Sequence, residues 1–126
     1  MPVSFSNLPA TSALSRALFS RMKDTVLGKS YRLSVAFVGK AEMRRLNRTY
    51  RKQDCPTDIL SFPLSTDEGE VVFCTEEIRS QAPEFGRTPK NFLSFLFIHG
   101  LCHLKGMTHG SRMEGEEGKI RKKFGI

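Results

Sequence analysis

An α+β fold is predicted for this sequence: a single domain spanning residues 1–126, with a small mixed four-stranded sheet packed with helices. Three observations predict it. Strand-like and helix-like segments alternate through the first half, two strand-like segments then follow each other around a turn, and the second half carries only helical patterns.

Residues 3–6 suit a short first strand. A helix is expected over roughly 12–27, where Leu14, Leu18, Met22 and Val26 share a face and Gly28 stops it. Residues 31–38 alternate and are rich in β-formers, so they form the second strand. A second helix over about 40–52 turns Met43, Leu46 and Tyr50 inward and leaves Arg44, Arg48, Arg51 and Lys52 on the other side. A Pro-containing loop leads to a strand at 58–62, a turn near Asp67 to Gly69, and a strand at 70–74. Residues 76–86 suit a short helix and a loop broken by Pro83 and Gly86. Thr88 and Pro89 then open a long helix, as N-cap and first-turn proline, that runs to about Lys105 and ends at Gly106. The last helix begins near Ser111, where Ser111 and Glu114 have capping-box spacing, and it carries Met113, Ile120 and Phe124 inward.

Composition narrows the class. Hydrophobic residues make up 39% of the chain, enough for a core, and no apolar stretch is long enough to span a bilayer. The first twenty residues lack the pattern of a secretory signal and are expected to belong to the fold. The three cysteines, Cys55, Cys74 and Cys102, are scattered and unpaired by spacing, which fits a reducing, cytoplasmic setting. A net charge of +7 favours a polyanionic partner, most often nucleic acid.

All three histidines lie within eleven residues, as His99-Gly-Leu-Cys-His103-Leu-Lys-Gly-Met-Thr-His109. His99 and His103 are four apart, so on a helix both imidazoles project from one face, a turn apart. Gly106 ends the helix and lets the chain bring His109 toward the same point. Three neutral nitrogen ligands with one open position are the pattern of catalytic zinc, one ion per chain, although other first-row divalent ions suit imidazole as well. Position 100 is glycine, where a metalloprotease of the HExxH type needs its glutamate base, which argues against that peptidase mechanism. Cys102 sits about 100° around the helix from His103 and is assigned to core packing.

These residues resemble the bacterial YbeY endoribonucleases. The histidine block is similar to that family's HGxLHLxGxDH pattern. The segment Leu46-Asn-Arg-Thr-Tyr-Arg51-Lys-Gln-Asp54-Cys-Pro56-Thr57-Asp58-Ile-Leu-Ser61-Phe62-Pro63 is similar to its LNxxYRxxDxPTDVLSFP segment, and Gly69-Glu70-Val71-Val72-Phe73-Cys74 resembles its GDI-type strand. Two departures stand out: Thr108 occupies the place of an acid before the last histidine, and Glu70 that of an aspartate. The resemblance implies a metal-dependent endoribonuclease specific for single strands, acting on ribosomal RNA precursors and the small ribosomal subunit in rRNA maturation and ribosome quality control.

Arg51 is the expected phosphate partner, because its planar fork holds two phosphate oxygens and stabilises charge in the transition state. An ion pair with Asp54 or Asp58 is its competing role. Arg44, Arg48 and Lys52 would add sequence-independent attraction to RNA, and the tail Arg121, Lys122, Lys123 would add to it. Thr57, Asp58 and Ser61 are assigned to shaping the turn into their strand, and no base-reading aromatic is evident near the site. Two other functions compete: a ribosome-associated assembly factor with a structural metal and weak activity, and a metallohydrolase of another substrate.

Overall fold

The computed structural model describes residues 3–9, 14–108 and 110–126. His109 and the first residues of the expected first helix, 12 and 13, lie outside the described residues.

In chain order the elements are β1 (Val3–Ser6), α1 (Arg16–Leu27), β2 (Arg32–Val38), α2 (Lys40–Arg51), β3 (Ile59–Ser65), β4 (Glu68–Cys74), α3 (Thr75–Gln81) with a 3-10 turn over Ala82–Phe85, α4 (Pro89–Leu104) and α5 (Ser111–Phe124). The strands form one mixed sheet in the order β1-β2-β4-β3. β1 and β4 both run parallel to β2, and β3 pairs antiparallel with β4 as an edge strand. This is the α+β class expected. The parallel pairs arise because α1, and then α2 with β3, carry the chain back between strands.

The alternation in β2 and β4 sorts the core into two layers. Leu33, Val35, Phe37, Val71 and Phe73 face α1 and α4, with Phe19 of α1 at the centre, its ring 4.8 Å from that of Phe97. On the other face Leu60, Val72 and Cys74 pack with Met43 of α2. α4 is therefore covered on nearly every side, as its run of apolar residues requires.

Local chemistry sets the ends. Ser15 caps α1, its hydroxyl accepting from the Leu18 amide at 3.1 Å, so the helix starts later than expected. The buried Lys23 closes the other end of α1, donating to the carbonyls of Gly28 (3.0 Å) and Lys29 (3.2 Å) and pairing with Asp24. Thr88 caps α4 as expected, accepting from the Asn91 amide at 3.2 Å.

Three expectations are corrected. Tyr50 is not in the core: it is 62% exposed, and Asn47, one turn after Met43, takes the inward place and donates to the Cys55 carbonyl. The capping box of α5 does not form, since Gly110 is the N-cap and Ser111 already lies within the helix. The turn between β3 and β4 is tighter than expected: Thr66 and Asp67 alone link them, and β4 begins at Glu68. No helix among the described residues is long and apolar enough to cross a membrane.

Candidate metal and nucleic-acid site

Between Asn91 and Leu104, every residue of α4 is buried except Asn91, Phe95, His99 and His103. These recur every fourth position, so they form one stripe along the open side of an otherwise enclosed helix. The helical spacing that suggested a shared ligand site thus coincides with the only strip of this segment that reaches solvent.

On that stripe His99 Nε2 and His103 Nε2 approach to 3.1 Å, with the two rings perpendicular and their centroids 4.6 Å apart. Nitrogens bound to one tetrahedral zinc at about 2.0–2.1 Å are separated by about 3.3 Å, so the pair has the spacing a shared divalent ion needs. The other nitrogen of His99 is engaged. Its Nδ1 lies 3.1 Å from both carboxylate oxygens of Glu117, a buried residue of α5. An Nδ1–H donating to that carboxylate leaves the Nε2 lone pair directed at the shared point, the support commonly found behind metal-binding imidazoles. Glu117 in turn lies 3.6 Å from Arg121 Nη1, one helical turn on.

Sequence reasoning missed Glu117, although a signal existed. Met113, Glu117, Ile120 and Phe124 have the spacing of one helix face, so the glutamate was due to point inward with its apolar neighbours. Cys102 is fully buried, and burial, followed by the charges of Glu117 and Glu116, pushes its thiol up to about 11. Its place in the core agrees with the packing role expected of it.

Gly100 has a structural reason of its own. A Cβ there would lie 2.8 Å from Ser61 Oγ and 3.0 Å from Ile59 Cδ1. α4 thus rides on β3 at this point, and a side chain at position 100 would push against Ser61 and Ile59.

A cleft of about 860 Å³ runs between β3 and α4 along the sheet edge. His99 and His103 line it on one side, and Arg51, the last residue of α2, lines it with Asp58 and Ser61. Among the described residues Arg51 makes no ion pair, and Asp54 is engaged instead by Arg44, at 2.9 and 3.1 Å, and by Arg48 at 3.6 Å. Hydrogen bonding from Arg44 holds the Asp54 carboxyl below its ordinary range. Lys52 leaves the helix in a left-handed conformation, φ 60°, and like Arg44 and Arg48 does not line the cleft. The structure therefore brings Arg51 together with the two described histidines and sets the other three cations apart from them.

Asp58 is the cleft's unusual acid. Burial raises its pKa, opposed by hydrogen bonds from the Ile59 amide, its own amide and the Thr57 hydroxyl, and those bonds fit its turn-shaping role. Aromatic walls are present as well, against expectation: Phe95 on α4, and Tyr50 with Phe62, whose rings meet edge-on at 5.0 Å.

Comparison with known proteins fits this arrangement. The family model described as Endoribonuclease YbeY matches residues 5–125. A protein of that name from Solibacter usitatus is 37% identical over 98% of this chain and 88% of its own length. One from Staphylococcus carnosus is 36% identical over 68% of this chain, which spans just under two thirds (63%) of that relative. The solution structure of TM1509 from Thermotoga maritima superposes with a TM-score of 0.70 at 27% identity, covering 98% of this chain and 89% of that one. Matched over almost its whole length by the family model, the chain belongs to the YbeY family of endoribonucleases.

Proposed function

We propose that this endoribonuclease is metal-dependent and specific for single-stranded RNA, and that it matures ribosomal RNA precursors and polices small ribosomal subunits in the cytoplasm. One divalent ion, zinc first among candidates, would be held by His99, His103 and His109. The observation that carries this reading is the convergence of His99 and His103 Nε2 at 3.1 Å with Glu117 behind His99. When bound, such an ion supplies Lewis acidity toward a phosphodiester oxygen and acidifies water at its open position.

The chain's own residues do the rest. Glu117 fixes the tautomer and orientation of His99. Arg51, without a competing carboxylate among the described residues, is available to grip the non-bridging oxygens of the scissile phosphate and hold the charge that gathers there. Tyr50 and Phe62 offer aromatic surface to unpaired bases, whereas bases stacked in a duplex cannot reach it. Ribosomal RNA as the natural substrate follows from the family resemblance alone.

The test compares one RNA sequence as a single strand and as a duplex, for wild type and Arg51→Gln. The reading expects cleavage of the single strand only, with kcat reduced about 100-fold by the substitution. Equal cleavage of the duplex would refute the strand preference. Binding without cleavage would favour the assembly-factor function.

A further inference from the structure

Beyond the cleft, the open stripe of α4 continues past Phe95 toward the start of the helix, where the fold gathers cations. The Arg87 guanidinium carbon lies 4.3 Å from the centre of the Phe95 ring and that of Arg121 lies 5.1 Å from it. One ring therefore carries two guanidinium groups, from segments far apart in sequence. Arg121 has Glu117 as a partner, but Arg87 makes no ion pair among the described residues and bonds only the neutral Asn91 side chain. It is also half-buried, and burial, then repulsion from Arg121, lowers its pKa. Cations withdrawn from water are ordinarily paired with an acid. Here the nearest charged neighbour in the cluster is another cation, an arrangement that a bound anion would relieve.

We propose that Arg87, held with Arg121 on the Phe95 ring, is a second phosphate-binding position, taking the RNA backbone one to two nucleotides beyond the metal site. This rests on the single-stranded RNA reading given above. Phe95 is the link, because it lines the cleft with His99 and His103 and also the adjoining hollow that holds Arg121. His99 and Phe95 are one helical turn apart, about 6 Å along the axis, which is close to one step of an extended strand. A strand following the stripe would thus pass its reacting phosphate at His99 and His103 and a later phosphate at Arg87, beyond the Phe95 ring on which that arginine rests. The positive end of α4, beginning at Pro89, adds to the attraction.

The experiment measures binding by fluorescence anisotropy at several salt concentrations, using metal-loaded protein and 2′-O-methyl RNAs that are not consumed. One RNA has about eight nucleotides, within ordinary single-strand site sizes, and the other is a dinucleotide too short to span from His99 to Arg87. Arg87→Gln is expected to weaken the longer strand about five- to tenfold and leave the dinucleotide unchanged. It should also flatten the slope of log K against log salt by about 0.7, the share of one phosphate on a single strand. Arg87→Lys, which keeps the charge and gives up the planar stacking, should keep the wild-type slope. An unchanged slope and affinity in Arg87→Gln would overturn the proposal, as would equal losses in the Gln and Lys variants, which would mark a packing role on Phe95. If wild type bound neither RNA, the RNA reading itself would fall and this position with it.

Discussion

His99 on α4 and Glu117 on α5 meet at 3.1 Å through Nδ1 and both carboxylate oxygens, so α5 sets the orientation of the imidazole that α4 presents to the cleft. A buried glutamate on an otherwise apolar helix face is costly unless its charge is met, and here His99 and Arg121 meet it.

Glu117→Gln keeps the shape and removes the charge. Zinc affinity, measured by competition with a chromogenic chelator, is expected to fall by about 10- to 100-fold. Unchanged affinity would show that the carboxylate does not support His99.

Gly100→Ala tests the close approach of α4 to β3. A Cβ meeting Ser61 Oγ at 2.8 Å and Ile59 Cδ1 at 3.0 Å implies overpacking of about 1–3 kcal/mol. Alanine's helix propensity offsets at most ~1 kcal/mol of that. Urea unfolding should show a net loss of stability, partly recovered by adding Ser61→Ala. A gain in stability would contradict the packing described.

Asp54 occupies Arg44 and Arg48, two of the cations expected to attract RNA. Asp54→Asn releases both, so affinity for single-stranded RNA should rise and the salt dependence steepen, by up to about 0.7 for each added phosphate contact. Identical salt slopes in variant and wild type would remove Arg44 and Arg48 from the binding surface.

Asp58 makes a prediction about pH. Burial raises its folded-state pKa above the ordinary 3.8, so the folded protein holds this proton more tightly than the unfolded chain does. Ionising Asp58 therefore opposes folding: the cost is absent below the unfolded pKa, grows as pH rises through the folded pKa, and is complete above it. The stability of Asp58→Asn relative to wild type, measured with chelator present, should improve as pH rises from the acid range toward neutrality. A difference that stays constant with pH would mean the carboxyl is not desolvated.

The elements were legible where local chemistry decides them. Thr88 and Pro89 mark the start of α4, the four-residue spacing of His99 and His103 marks a shared face, and the alternation in β2 marks a half-covered strand. What could not be read depends on contacts distant in sequence. The pairing of Arg44 and Arg48 with Asp54 needs the chain reversal after Lys52. The aromatic walls need β3 to lie beside α4, and the crowding at Gly100 needs the same contact. Tyr50 had the spacing of a core residue but meets only Phe62 of the edge strand and stays exposed, while Asn47 takes the inward place. Glu117 is set among acidic residues that look uniformly exposed, and only its register with Met113 and Ile120 betrays it.

The central claim is that one divalent ion at His99 and His103 is required for RNA cleavage. The most direct measurement strips the protein with chelator, adds zinc back in steps, and follows single-strand cleavage for wild type and His103→Ala. The account expects stripped wild type to be inactive, activity to return in proportion to zinc up to about one ion per chain, and the variant to remain inactive throughout. Undiminished cleavage by stripped wild type and by His103→Ala would contradict it.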